Sequence, residues 1–332
     1  MNQIIDTVII GGGAAGLTAA QVLGRARRSV VVVDAGEPRN APASHMHGYL
    51  GHDGRSPAEL LAIGRREAAA YGVRIVRDAA TGAERAPSGG TTVTLRSGAP
   101  LTARTLLVAT GLGDELPDVP GVAERFGRDV LHCPFCHGYE VCDRPLAVLA
   151  GANAAMSVHQ ALLIPQWSRD MVFFTNGLDV EGADRARIEA RGVRIVDGAV
   201  AGLTVEDDAL RAVRLADGTE VPREALFVGP RFVPHDDLLR ELGAERGQNG
   251  YVPVDPMGAV AGLPAVWAAG NVVNPMAQVI VAAGAGSAAA GSISAYLLER
   301  DVERELAEAR DGVRREARGT GLAGSRPQAA AD

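Results

Sequence analysis

Apolar residues in this chain come in short unbroken runs, separated by glycine-rich turns and by stretches in which apolar positions recur at helical spacing. Ile4 to Ile10 and Ser29 to Val33 are β-branched runs that predict strands. Between them Gly11-Gly12-Gly13-Ala14-Ala15-Gly16 opens a small-residue helical pattern through Leu23. Strand, glycine turn, helix and strand, closed by Asp34, make a β-α-β unit of about 30 residues. The polar, turn-rich segment from Glu37 to Arg55 holds three of the seven histidines, which marks it as a loop with a role at a site. Pro57 to Tyr71 predicts a helix with Ser56 as N-cap and Gly72 at its end. Val73 to Val76, Thr91 to Leu95 and Leu106 to Val108 predict strands, the last running into Ala109-Thr110-Gly111. The acidic, Pro-containing stretch Gly113 to Gly121 reads as a linker.

The architecture then repeats. After His132-Cys133-Pro134-Phe135-Cys136-His137-Gly138 comes a strand, Leu146 to Leu149, then Gly151-Ala152-Asn153, a helical stretch to Ile164, and a strand from Met171 to Thr175. Leu226 to Val228 ends this half. Ala265 to Asn271 and a small-residue helix from Gln278 to Leu298 return to the first unit. The predicted fold is α/β, with two Rossmann-like, three-layer nucleotide-binding domains. The first of these is discontinuous (1–115 and 241–310), the central domain spans 116–240, and 311–332 is expected to be a disordered tail.

Composition narrows the chemistry. With 332 residues, 47% hydrophobic and 22% charged, the chain suits two globular domains. All 33 basic residues are arginine, so a phosphate loop ending in Gly-Lys-Ser/Thr and any lysine Schiff base are excluded. A net charge of −7 and 4% aromatics argue against nucleic acid binding. The apolar stretch from Gln278 is built of Ala, Gly and Ser without flanking basic clusters, so no membrane span is expected. No export signal is visible, and a cytoplasmic location is expected.

Gly11, Gly13 and Gly16 match G-x-G-x-x-G between a strand and a helix, with the acidic Asp34 some 18 residues on. The glycines serve the tight turn, the backbone approach to a pyrophosphate and the helix-strand packing, and Asp34 would bind a ribose. The motif does not distinguish FAD from NAD(P). Cys133-Pro134-Phe135-Cys136 spaces two thiols for a redox dithiol in which one thiolate attacks another disulfide. Other uses of that spacing are haem c attachment, a zinc site completed awkwardly by Cys142 with His132 or His137, and plain packing. No metal is assigned. His137, beside the dithiol, is suited to proton transfer, with His132, His45 and His47 as weaker candidates.

Together, the N-terminal glycine fingerprint, Ala109-Thr110-Gly111, the dithiol opening a second β-α-β unit, and Ala268-Ala269-Gly270 before a small-residue helix resemble the low-molecular-weight thioredoxin reductases over about residues 4 to 300. The resemblance implies a homodimer whose first and last segments bind FAD and whose central domain binds NADPH and carries the dithiol. It implies that Gly11, Gly13, Ala14, Ala15, Gly16, Asp34, Ala35, Arg39, Asn40, His47, Thr110, Gly111, Gly270, Asn271, Gln278 and Val279 hold the flavin. Cys136 would be the thiol nearest the isoalloxazine and Cys133 the one that exchanges with substrate.

The departures from that family share a direction. The central glycine motif reads Gly151-Ala152-Asn153-Ala154-Ala155-Met156, and the place of a paired-arginine signature for the 2′-phosphate of NADPH is taken by Thr175-Asn176-Gly177-Leu178-Asp179-Val180-Glu181. Asn271 and His137 stand where the reductases carry Asp. The run Cys133 to Glu140 with a degraded nicotinamide site is similar to FAD-dependent dithiol oxidases of the gliotoxin and holomycin type. The implied function is closure of a small-molecule dithiol to a disulfide through Cys133 and Cys136, with FAD passing the electrons to O2 and His137 managing protons. The alternatives are an NADPH-dependent reductase acting on thioredoxin or a small disulfide, and a flavin redox sensor without turnover.

Overall fold

The computed structural model describes residues 5–320 apart from 88. Its first sheet is built on parallel strands β1 (Ile5–Ile10), β2 (Val30–Asp34) and β3 (Arg74–Arg77), with an antiparallel hairpin of β4 (Ala80–Arg85) and β5 (Thr91–Leu95). The long strand β6 (Pro100–Val108) joins them: its first half pairs with β5, its second half with β1. The connector β7 (Leu112–Glu115) leads into a second, wholly parallel sheet of β8 (Val130–Leu131), β9 (Leu146–Leu149), β10 (Met171–Phe174) and β11 (Arg194–Val196). An antiparallel sheet follows, of β12 (Val200–Glu206), β13 (Ala209–Leu215) and β14 (Glu220–Pro222). Strand β15 (Ala225–Val228) lies between β8 and β9. Strand β16 (Arg231–Pro234) leads back to the first half, and β17 (Val266–Ala268) adds to β6.

Both parallel sheets are buried on both faces, which is why their strands read as continuous apolar runs. In β2, Val30 and Val32 face one core layer and Val31 and Val33 the other. In β10, Met171 and Phe173 divide from Val172 and Phe174 in the same way. The helices are α1 (Ala14–Arg25), α2 (Pro57–Ala70), α3 (Val122–Arg125), α4 (Pro134–His137), α5 (Ala154–Leu163), α6 (Gly182–Ala190), α7 (Asp237–Glu241) and α8 (Val279–Thr320). Ser56 caps α2 by accepting the Glu59 N–H, as its place before Pro57 predicts.

Two expectations are corrected. The stretch expected to be a linker is partly strand: β7 pairs antiparallel with β16, Gly113 opposite Val233. The two crossings between the sheets run side by side, so their backbone groups satisfy each other. The tail expected to be disordered from 311 is helical as far as Thr320, because its Ala, Glu and Arg residues favour continuation of α8. Residues 321–332 lie outside the described residues.

Val279–Arg310 is long and apolar enough, by length and composition, to cross a membrane. Here its small residues serve another purpose. Ala282, Ala289, Ala290, Ile293 and Leu297 bury against Ala15, Ala19, Ala20 and Leu23 of α1. The helices cross so closely that a Cβ on Gly286 would stand 2.0 Å from the Ala15 carbonyl oxygen. Gly286→Ala is therefore expected to cost about 1–3 kcal/mol through overpacking. The check is a thermal unfolding midpoint several degrees below that of the parent; an unchanged midpoint would show that the crossing can relax.

Candidate active site

The glycine loop, Asp34, Ala109 to Gly111 and Gly270 to Asn271 all follow the carboxyl ends of parallel strands β1, β2, β6 and β17, and so meet at one edge of the first sheet. Gly11 has φ +109°, and a Cβ there would lie 2.3 Å from the Ala109 carbonyl oxygen. A Cβ on Gly16 would lie 1.9 Å from the Gly11 carbonyl oxygen, so neither position accepts a side chain. Gly13 differs: nothing stands within 4 Å of its missing Cβ. It is the N-cap of α1, with no side-chain cap and no acid in the first turn, so no side chain caps the first-turn N–H groups. The Asp34 carboxylate lies against Gly12 and accepts the Gly36 N–H at 3.1 Å. A loop packed where it touches protein and bare where it does not fits a pyrophosphate, with Asp34 placed for a ribose.

Around this pole, Gly270 (φ +80°) lies against Ala15, where a Cβ would stand 3.1 Å from the alanine methyl. Asn271 donates its amide N–H groups to the carbonyls of Asn274, Pro275 and Ala277, which fixes the turn into α8. Thr110 Oγ1 donates to the His235 carbonyl at 2.6 Å, and the His235 N–H returns to the Gly111 carbonyl. Gln278 reaches the loop at Gly48, and Val279 starts α8. Asn40 accepts the Ala43 N–H through its carbonyl in a turn.

The dithiol comes from the second sheet. β8 ends at Leu131, and Cys133 is the N-cap of the short turn α4, with Pro134 fixing its first position. The N–H groups of Cys136 and His137 both donate to the Cys133 carbonyl at 3.1 Å, and the two sulfurs stand 2.7 Å apart, half-buried. The Cys136 thiol donating to the Cys133 sulfur lowers Cys133 to about 7, against burial, with help from the Phe135 and Cys136 N–H groups and the charge of Arg39. Cys136 is pushed up by retaining the proton shared with Cys133 and by burial. Burial holds His137 below the ordinary histidine range, against the pull of Glu140. His132 is also lowered, chiefly by burial, and its Nδ1 lies 3.2 Å from the Val228 carbonyl oxygen. A Cβ on Gly138 would stand 2.5 Å from the Pro134 carbonyl oxygen and 2.8 Å from Trp167, so the turn requires glycine there.

Two residues of the loop after β2 reach side chains that lie beyond the first sheet. Arg39 forms a bidentate pair with Asp114 at 2.6 and 2.7 Å, with its guanidinium 5.0 Å over the Phe232 ring. His47 stands 3.2 Å from both Asp53 and Glu140. Glu140 belongs to the dithiol run itself; Asp114 and Phe232 carry no sequence signal, since only the pairing of β7 with β16 brings them here. Among the described residues no three His, Cys, Asp or Glu side chains converge as a metal site.

The central helix start is closed where the first is open. Asn153 caps α5 by accepting the Met156 N–H at 3.1 Å, and Ser157 Oγ accepts the Gly151 N–H at 3.0 Å. Beyond β10, the side chain of Asn176 (φ +47°) accepts the Val200 N–H, and the exposed charges that follow are Asp179 and Glu181.

The pyridine nucleotide-disulphide oxidoreductase family matches residues 5–286. Thioredoxin reductase sirT of Leptosphaeria maculans is 31% identical over 319 residues, 90% of this chain and 96% of that one. The crystal structure of HlmI superposes with a TM-score of 0.91 at 49% identity, covering 94% of this chain and 98% of that one. An oxidoreductase from Agrobacterium tumefaciens superposes with a TM-score of 0.82 at 38% identity, covering 89% and 99%.

Two outcomes follow from the geometry. Gly13→Asp, which supplies its own cap to α1, should leave the fold and its far-ultraviolet dichroism intact while lowering flavin occupancy by roughly tenfold or more; full flavin absorbance in that variant would refute the assignment of the open cap. Alkylation of the reduced protein by iodoacetamide should rise through a midpoint of about 7 and modify Cys133 before Cys136, which peptide mapping across pH would read directly.

Proposed function

The chain belongs to the pyridine nucleotide-disulphide oxidoreductase family as a thioredoxin reductase-like, FAD-dependent dithiol/disulfide oxidoreductase, and we propose that it works as an oxidase, closing a small-molecule dithiol to a disulfide with O2 as acceptor. The observation that carries the direction is the contrast between the two helix starts. Gly13 leaves the first turn of α1 bare, whereas Asn153 fills the first turn of α5 with its own carbonyl oxygen. A dinucleotide at the central site would have to displace that cap, which costs about 1 kcal/mol, and would meet Asp179 and Glu181 where a 2′-phosphate needs arginine. Electrons from NADPH have no prepared entrance.

The dithiol chemistry follows from the sulfurs. A substrate thiolate attacks the Cys133 sulfur of the Cys133–Cys136 disulfide, forms a mixed disulfide and releases the Cys136 thiolate, which takes up a proton. The second substrate thiol, losing its proton, attacks the substrate sulfur of that mixed disulfide; the substrate disulfide forms and Cys133 leaves as a thiolate. A thiol with a midpoint of about 7 is a good leaving group near neutral pH. His137, kept neutral by burial, can take the proton of an incoming thiol. FAD bound at the Gly11–Gly16 pole supplies a two-electron acceptor for the resulting dithiol and a route onward to O2, so that one substrate dithiol and one O2 yield one disulfide and one H2O2. Phe135 and Tyr139, exposed on the dithiol run, offer apolar contact to a small substrate. A reductase acting on thioredoxin remains the second reading, since the same dithiol serves either direction.

Anaerobic visible spectroscopy separates them. Dithiothreitol should bleach the flavin and NADPH should not; rapid bleaching by NADPH would establish the reductase. Cys136→Ser should abolish bleaching by dithiol, Cys133→Ser should block substrate exchange with flavin retained, and His137→Ala should slow bleaching by about a hundredfold.

A further inference from the structure

The chain leaves β8 after Leu131 and enters β9 only at Leu146, so the residues between them, both cysteines included, are held by no strand. Helix α5 and the turn that follows it support them at two points. Gln160 on α5 is 2% exposed, and its Nε2 donates to the His132 carbonyl at 2.9 Å and to the Val228 carbonyl at 3.3 Å. His132 Nδ1 lies 3.2 Å from the same Val228 oxygen, so the residue before Cys133 is tied to β15 and to α5 together. Both donors of one amide are spent on two backbone oxygens; a carboxylate of the same shape would meet those oxygens with like partial charge.

Trp167 follows seven residues later, at the end of the turn Ile164–Gln166, and packs on the core layer that includes Leu131 and Val141. Its indole fills the place of a Gly138 side chain: a Cβ there would stand 2.8 Å from Cε2 and Nε1. The Phe135 ring meets it edge-on at 5.7 Å, and its backbone carbonyl accepts the Asp143 N–H at 2.8 Å. One residue between the cysteines and two after them therefore rest on this side chain or its backbone.

We propose that Gln160 and Trp167 are positioning residues of the dithiol, holding the α4 turn from before Cys133 and from behind Cys136 in the shape that makes Cys133 the reactive thiol. The proposal rests on the dithiol reading above, but it concerns the shape of the turn and not the direction of electron flow. Shape matters because much of what favours the Cys133 thiolate is directional: the Cys136 thiol and the N–H groups of Cys136 and Phe135 all donate to its sulfur, and such bonds weaken steeply when the turn opens. The charged groups that bear on the two sulfurs are Arg39 and Glu140, each thiol bears on the other, and His132 and His137 flank the pair. Gln160 and Trp167 carry no charge. A side chain that only filled space would, on removal, admit water and lower the Cys133 midpoint, since burial raises it. Loss of a positioning residue loosens the hydrogen bonds and raises the midpoint, so the sign of the shift identifies the role.

The test alkylates reduced holoprotein with iodoacetamide across pH and reads Cys133 by peptide mapping, with flavin absorbance and far-ultraviolet dichroism to establish that each variant is folded. Gln160→Met, similar in shape but without the amide donors, and Trp167→Leu should each raise the Cys133 midpoint by about half a unit or more, which at pH 7 roughly halves its thiolate fraction. Trp167→Phe, which keeps an aromatic ring for Phe135 to meet, should recover most of that shift. Midpoints equal to the parent's or below it in folded Gln160→Met and Trp167→Leu proteins would overturn the proposal, as would a Trp167→Phe protein shifted as far as Trp167→Leu. Where Trp167→Leu does not fold, Gln160→Met decides alone. The midpoints are read whether or not dithiothreitol bleaches the flavin, so failure of the oxidase reading and failure of this inference are separate results.

Discussion

Backbone approaching backbone without an intervening Cβ is the constraint on which this structure depends. Three contacts converge on the start of α1: Gly11 on the Ala109 carbonyl, Gly16 on the Gly11 carbonyl, and Gly286 of α8 on the Ala15 carbonyl. They bring β1, β6, α1 and α8 close enough for one small pole to be lined by segments from residue 11 to residue 279. The closeness also explains the alanine-rich character of α8, because a larger side chain on that face would lift the helix off α1 and separate Gly270 from Ala15. The returning segment is therefore tied to the first by shape as much as by strand pairing.

The repeated architecture gives the molecule an internal control. Each sheet presents a parallel strand, a turn and a helix start, and the two differ in how the turn is finished. Gly13 finishes the first with nothing, leaving partial positive charge for a ligand to use. Asn153 and Ser157 finish the second with the chain's own oxygen atoms. Fold alone makes the two helix starts equivalent; the hydrogen bonds leave one open and close the other. The central domain also presents the dithiol: Gln160, buried on α5, donates to the carbonyls of His132 and Val228 beside it.

Much of this was legible in the sequence, for identifiable reasons. Strands buried on both faces announce themselves as unbroken Val and Ile runs, and the glycines at 11, 13 and 16 sit between a strand and a helix as a dinucleotide site requires. The hairpin of β12 and β13 was not legible, since it turns through Asp207 and Asp208, both at positive φ, in place of the Asn-Gly or Asp-Gly that signals such a turn. Asp208 is held there by Arg125 and Arg128, contacts more than 75 residues away in sequence. The pairing of Arg39 with Asp114 was not legible for the same reason. Position in the first β-α-β unit suggests the cofactor, and only the pairing of β7 with β16 brings Asp114 and Phe232 within reach of Arg39.

The absence of lysine fits this pattern of long-range pairing. A guanidinium can grip a carboxylate with two parallel donors while its face covers a ring, and Arg39 does both with Asp114 and Phe232. An ammonium on a flexible stem could supply the charge but not the orientation. Near a half-buried pair of sulfurs this matters, because an unpaired charge would dominate the field that sets which sulfur loses its proton. Arg39 arrives paired with Asp114, and Glu140 lies 3.2 Å from His47 Nε2, so each charge near the dithiol has a polar partner. The fine balance is then left to local terms: the hydrogen bond between the thiols, the N–H groups of Phe135 and Cys136, and burial. Those terms make Cys133 the thiol that leaves readily as a thiolate and Cys136 the one that keeps its proton.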